Sequence, residues 1–387
     1  MRIIDVNERL LPLSRYADRS SLTGGLTTSI VAVTTDILRD GRPVVGYGYA
    51  SVGRFGQSGL IRERFAPRLL SASQDLLITE AGDNIDPFRA WTVMMTGEKP
   101  GGHGERCVAV GALDMAIWDA AAKIAGLPLF RFLAQRLNRA VDDRPKVRVY
   151  ASGGYLHPQN DLGNLADEIR SFVDSGFEDV KIKIGATGLK RDLQRVETAV
   201  SQLPDSKHLS VDAMNVYGLE QGLAAASALA PFGLRWFEDV CDPLDFPVQA
   251  CIAEAYASPL AAGEALFSLA EAKLLDRHAG LRRAKDILVF DPVHCYGLPV
   301  YIDIVDHLTS LGWARNSFWP HGGHLFCLHV VAAMGLAGAE LTPLAFYPFN
   351  GLFDGAVIDE GWTSPPDIPG IGFELNDGAW REFQTLT

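Results

Sequence analysis

The sequence predicts an α/β protein: a parallel-stranded barrel preceded by a smaller α+β region. Three observations carry this. From about Val147, short β-branched runs alternate with helical segments; such alternation implies a parallel sheet, and seven or eight units imply closure into a barrel. Before that point the chain reads as antiparallel strands followed by helices. The length of 387 residues, 48% hydrophobic and 21% charged, exceeds one ordinary core and suits a large domain with a smaller companion.

In order along the chain, TTSIVAVTTDI (Thr27 to Ile37) has strand composition, and GRPVVGYGYAS returns after a glycine-containing turn. SVGRFGQSGL is glycine-rich but lacks the strand-loop-helix frame of a phosphate loop, so it reads as a mobile loop. Helical periodicity begins near Arg62. The clearest helix is ERCVAVGALDMAIWDAAAKIAG, with Val108, Leu113, Ile117 and Ile124 at helical spacing and a stop at Gly126. The barrel strands are then VRVYAS, FEDVKIKIG, HLSVDAM, LRWFEDV, LAAGEAL, DILVFDP and NSFWPHG, separated by helical stretches such as LGNLADEIRSFVDSG and LKRDLQRVETAVSQL. The tail, PFNGLFDGAVIDEGWTSPPDIPGIGF, is rich in glycine and proline, reads as strand-like, and is expected to pack back on the N-terminal part.

Composition removes several function classes. The formal net charge is −12 and no Lys/Arg run occurs, which argues against a nucleic-acid or acidic-membrane partner. The first residues contain no signal-peptide apolar core, and no apolar run is long enough to span a bilayer. Cys107, Cys241, Cys251, Cys295 and Cys327 are odd in number and form no CxxC pair, so a reduced, cytoplasmic chain is expected.

The chemistry is concentrated at the strand ends. In VKIKIG, Lys181 and Lys183 lie two apart in a strand and therefore point to the same face, where a buried charge is costly unless compensated. Lys183, Asp212, Glu238, Glu264, Asp291 and His321 recur at intervals of roughly 25 to 30 residues, one strand-loop-helix-loop unit each, so they meet at the C-terminal mouth of the barrel. Asp212, Glu238 and Glu264 offer only oxygen ligands, which suits Mg²⁺ or Mn²⁺ rather than zinc. Asp239 should point to the other face of its strand and is left out. Each lysine should disfavour the charge on the other, lowering a pKa toward that of a useful base. Asp291, on the neighbouring strand, can hold one nitrogen of His321 and leave the other for a substrate. His324 reads as a helix-start residue rather than a zinc partner of His321.

In this order and spacing, VKIKIG, VDA, FED, GEA, FDP and PHGGH, together with ALDMAIWDAAAKIAGLPLF, resemble the mandelate racemase subgroup of the enolase superfamily. GEKPGGHGERCVAVG, GRFGQSGLIRERFA, DPLDF and PDIPGIGFE resemble, within it, the tartrate dehydratases. The resemblance implies a (β/α)7β modified TIM barrel, residues 141–345, beneath an N-terminal α+β capping domain, 1–140, with 346–387 packing back on the cap. It implies Mg²⁺ on Asp212, Glu238 and Glu264, with Lys183 as the base at the carbon alpha to a carboxylate. Lys181 would bind that carboxylate and tune Lys183, while His321 with Asp291 would protonate the departing 3-hydroxyl. Lys99 would reach the substrate from the cap. Met214 stands where the resemblance places a polar side chain facing the substrate, with Asn215 beside it, and the loop SRYADRSSLTGGLTTS departs from the family pattern. The implied reaction is dehydration of a small acid sugar to a 2-keto acid by a hydro-lyase. Racemisation or epimerisation of a 2-hydroxy acid would use the same residues; a barrel retained only for binding is disfavoured by the intact set. A symmetric homo-oligomer is expected.

Overall fold

The computed structural model describes residues 1–16 and 26–387. The divergent early loop therefore lies mostly outside the described residues. Strands β1 (Ile3–Pro12), β2 (Thr27–Arg39) and β3 (Arg42–Tyr49) form an antiparallel sheet in sequence order. Its inner face packs on the long helix Glu105–Ala125, which ends in left-handed Gly126. Contact is close enough to require glycine: a Cβ on Gly46 would lie 1.9 Å from the Ala116 carbonyl oxygen. SVGRFGQSGL is loop through Gln57, after which helical structure begins.

The larger sheet is parallel and follows the strand–helix alternation. Its strands are β4 (Val147–Ser152), β5 (Asp179–Lys183), β6 (Leu209–Asp212), β7 (Trp236–Glu238), β8 (Leu260–Ala262), β9 (Ile287–Leu288) and β10 (Ala339–Leu341). The hydrogen-bonded order is β10-β4-β5-β6-β7-β8-β9. An irregular stretch fills the remaining gap. Phe318 bridges Leu288 in parallel, Trp319 N–H donates to the Leu288 carbonyl at 2.9 Å, and Ala337 N–H donates to the Phe318 carbonyl at 3.2 Å. Eight parallel positions thus enclose an interior plugged by Tyr150, Trp236 and Trp319, whose rings lie 5.2 to 5.8 Å apart.

The tail contains little strand. Only β11 (Trp362–Thr363) forms, antiparallel to β4, because glycines and prolines interrupt the backbone pairing elsewhere. Further on, Gly370 exchanges backbone hydrogen bonds with Leu127 and Leu129, Ile371 N–H donates to Asp119 at 2.6 Å, and Arg9 pairs with Glu382 at 2.5 Å.

The long helix also touches the barrel, at the loop after β9. A Cβ on Gly111 would lie 1.9 Å from the Val293 carbonyl oxygen, and neither backbone can give way cheaply. Gly111→Val is expected to cost about 3 kcal/mol of stability through overpacking. A urea midpoint shifted no further than that of Gly59→Ala, at a position with open space around it, would refute this close approach.

Candidate active site

The strands deliver charged side chains to one end of the barrel. Alternation places Lys181 and Lys183 on the same side of β5, and β6 and β7 end in Asp212 and Glu238. After β8 the chain turns through Gly263, at φ 130°, and presents Glu264; Asp291 and His321 follow β9 and the Phe318–Trp319 segment. Carboxylate oxygens of Asp212, Glu238 and Glu264 lie within 4.8 Å of one another. Glu264 Oε2 is buried and accepts no hydrogen bond from the described residues, a costly state that a cation would relieve. The donor set is all oxygen and all acidic, so it fits a divalent cation such as Mg²⁺.

Both lysines reach this cage. Lys183 Nζ lies 2.5 Å from Asp212 Oδ2. Lys181, with no exposed surface, donates to Glu238 and lies 3.2 Å from Glu340 and 3.9 Å from Asp212. Trp236 Nε1 donates to the second Glu238 oxygen at 2.7 Å, tying the barrel plug to the cage. The Met214 N–H donates to Asp212 Oδ1, also at 2.7 Å.

These contacts reverse one expectation. Repulsion between two ammonium groups predicts a lowered pKa, yet both are held up. For Lys183, burial and Lys181 pull downward, and the adjacent Asp212 outweighs them. For Lys181, burial pulls downward, and Glu238 and Glu340 outweigh it. Burial pushes the Glu238 carboxyl up to about 7 against the pull of Lys181, with Asp212 and Glu264 adding to the rise.

Opposite Lys183 sits the histidine. His321 Nδ1 donates to Asp291 Oδ2 at 2.9 Å, and its Nε2 lies 3.4 Å from Glu264 Oε2. Burial disfavours its charge, but Glu264 and the Asp291 hydrogen bond push the pKa up to about 9. Asp291 also accepts from Ser51 Oγ at 2.7 Å and from the Val293 N–H at 2.6 Å. Although burial raises its pKa, His294 and the bond from His321 hold it well below the usual carboxylate range. His324 is the N-cap residue of helix Leu325–Met334, and among the described residues it joins neither the Asp212–Glu238–Glu264 cage nor the other group with metal-competent spacing, Asp291, His294 and His321.

One other expectation changes, the argument that set Asp239 aside. Asp239 is buried and stays outside the three-carboxylate cluster; burial raises its pKa well above normal, with Glu264, Asp212 and Glu238 adding to the rise. Its φ of 49° breaks the alternation that argued for its exclusion. Asn215 donates from its Nδ2 to that carboxylate, Asp239 Oδ2, at 2.9 Å. Lys99 is exposed; its carbonyl accepts from Arg106 at 3.1 Å, and among the described residues its ammonium forms no ion pair. Met214, 40% exposed, lines a 230 Å³ cavity with Lys183, Tyr155, Arg15 and Tyr16, which keeps it beside the candidate base. A larger cavity of 740 Å³ lies against the capping sheet and contains none of the strand-end charges.

Glu340, Ser51 and His294 were not singled out by the sequence. Glu340 on β10 binds Lys181 and accepts from the Gly322 N–H at 3.1 Å; burial raises its pKa, but Lys181 and His321 lower it further. Its signal was present: AEL is one more strand carrying an acid.

Residues 164–379 match the family model described as enolase C-terminal domain-like. The chain belongs to the enolase superfamily. Among relatives in the superfamily, the L-talarate/galactarate dehydratase of Salmonella typhimurium is 28% identical over 377 residues, covering 96% of this chain and 88% of that protein. The arabinonate dehydratase of Saccharolobus solfataricus is 28% identical over 287 residues, covering 73% and 74%. The structure of L-talarate dehydratase from Polaromonas sp. JS666, complexed with Mg and L-glucarate, superposes with a TM-score of 0.72 at 25% identity, covering 96% of this chain and 94% of that one.

Proposed function

We propose that this enolase-superfamily chain is a Mg²⁺-dependent acid-sugar dehydratase. The observation that carries the reading is the placement of Lys183 and the His321–Asp291 pair around one cage of three carboxylates. Asp212, Glu238 and Glu264 would hold the ion. When bound, Mg²⁺ supplies positive charge beside the substrate carboxylate and draws the charge of Asp212 away from Lys183.

The chain's own residues then divide the work. Lys181, braced by Glu340 and Glu238, holds the carboxylate; Lys183 takes the proton from the adjacent carbon. His321, kept protonated and oriented by Asp291, gives its proton to the 3-hydroxyl, which leaves as water. The resulting enol tautomerises to a 2-keto acid. The names of the two dehydratase relatives and the Mg-glucarate complex support this class. The finer reading, a tartrate-type substrate, rests on the four segments named in the sequence. The five free cysteines favour a reduced compartment, and among the described residues no helix is long and apolar enough to cross a membrane.

The deciding experiment is a screen of four- to six-carbon mono- and diacid sugars with Mg²⁺. Formation of a 2-keto acid supports dehydration, whereas solvent deuterium uptake without keto acid establishes epimerisation instead. Glu238→Gln is expected to weaken Mg²⁺ binding by at least about tenfold. Unchanged affinity by calorimetry would remove Glu238 from the cage.

A further inference from the structure

The mechanism leaves one buried imidazole beside the proton donor unused. Asp291 Oδ1 accepts from the N–H groups of Val293 and His294, at 2.6 and 3.2 Å, and this tight turn returns the His294 ring to the carboxylate. His294 Nδ1 lies 3.7 Å from Asp291 Oδ2, the oxygen that also takes His321 Nδ1 at 2.9 Å. The two imidazoles are 5.4 Å apart, and Phe267 packs edge-on against His294 at 5.7 Å. His294 is 2% exposed yet poorly satisfied: Nδ1 is 3.5 Å from the Glu264 carbonyl oxygen, and Nε2 has no hydrogen-bond partner. Burial, against a smaller opposing pull from Asp291, lowers its pKa to about 4. At neutral pH it is therefore the uncharged ring, the form that ligates a metal.

One donor atom from each of Asp291, His294 and His321 lies within 4.8 Å of the others. Around a tetrahedral ion with bonds of about 2.0 Å, donors stand about 3.3 Å apart. The separations of 2.9 and 3.7 Å bracket that value. We propose that these three side chains form a second cation site, selective for Zn²⁺, whose occupation takes His321 out of its role as proton donor. The donor set decides the selectivity. Two imidazole nitrogens and one carboxylate suit zinc, with a fourth position left open, whereas the neighbouring cage offers oxygen alone and suits Mg²⁺. The ion displaces the proton on His321 Nδ1, which leaves to solvent, and bonds to that nitrogen, to His294 Nδ1 and to Asp291 Oδ2. With zinc on Nδ1 the ring no longer carries two protons, so Nε2 has no imidazolium proton to give. The site itself stands on geometry; its effect on turnover rests on the role of His321 proposed above.

The test titrates Zn²⁺ into protein saturated with Mg²⁺. Calorimetry is expected to find one Zn²⁺ per chain that Mg²⁺ does not displace, and X-ray absorption at the zinc edge to show two imidazoles in its shell. His294→Phe should weaken this binding by more than about 100-fold, beyond the loss of an outer-shell partner, with native Mg²⁺ affinity as the sign of a folded cage. His294→Gln, which keeps a polar tip, should also lose most of the affinity. Glu238→Gln should do the reverse, weakening Mg²⁺ and sparing zinc. Zinc that competes with Mg²⁺, shows an all-oxygen shell, binds equally well without His294 or does not bind at all would overturn the proposal. Undiminished keto-acid formation by the zinc-loaded enzyme would overturn the block on His321. Zinc binding that depends on His294, in a protein that makes no keto acid from any sugar, keeps the site and sinks the dehydratase reading.

Discussion

Lys183→Ala is expected to lower solvent exchange of the α-proton by about 10³-fold or more, the upper part of what a positioned base contributes. Dehydration should fall with it, because elimination begins at that carbon. The substitution also frees Asp212 of its 2.5 Å partner, so Mg²⁺ affinity is expected to hold or rise. That second measurement matters, since a collapsed cage would mimic the loss of a base. Exchange at the native rate in a variant that still binds Mg²⁺ would leave Lys183 without its role.

His321→Asn should separate the two halves of the reaction. The asparagine still fills the space but has no proton to give, so keto-acid formation is expected to drop by about 10²- to 10⁴-fold while Lys183-dependent deuterium uptake continues. Native dehydration in this variant would exclude His321 as the acid. The pH dependence carries a second check. With a pKa raised to about 9, His321 is charged through neutrality, as an acid must be. A raised pKa contributes stability that is complete below the unfolded value of about 6.5 and is lost as pH climbs through the folded one. Activity should therefore fall on the alkaline side. Because Glu264 is the foremost group raising this pKa, nuclear magnetic resonance titration should find a higher value in chelator-treated protein than with Mg²⁺ present. Identical titrations would mean that Glu264 does not share its charge with the ion.

The limits of sequence reading follow from range and angle. Strand–helix spacing alone placed Lys183, Asp212, Glu238, Glu264, Asp291 and His321 at one mouth, because each sits at the same point of a repeating unit and a barrel has only one C-terminal face. The polarity of VKIKIG was equally legible, since alternation is a local property of a strand. Asp239 stands outside the three-carboxylate cluster, as read, but not for the reason given: alternation stops where β7 stops, and a left-handed φ sets the aim of the next side chain. Lys99 was carried over by resemblance; it is exposed on the cap, and nothing in strand–helix spacing points to it.

Quantities that depend on distance required the folded chain. The sign of the lysine pKa shifts was read as negative from one repulsion within β5; it is positive because Asp212, Glu238 and Glu340, far away in sequence, sit directly against the two ammonium groups. Ser51 meets Asp291 across 240 residues, and nothing near either position encodes that pairing. Periodicity reports which face a residue occupies; electrostatics falls off with separation in space, so charge balance at the site became definite only once the cap and barrel were packed together.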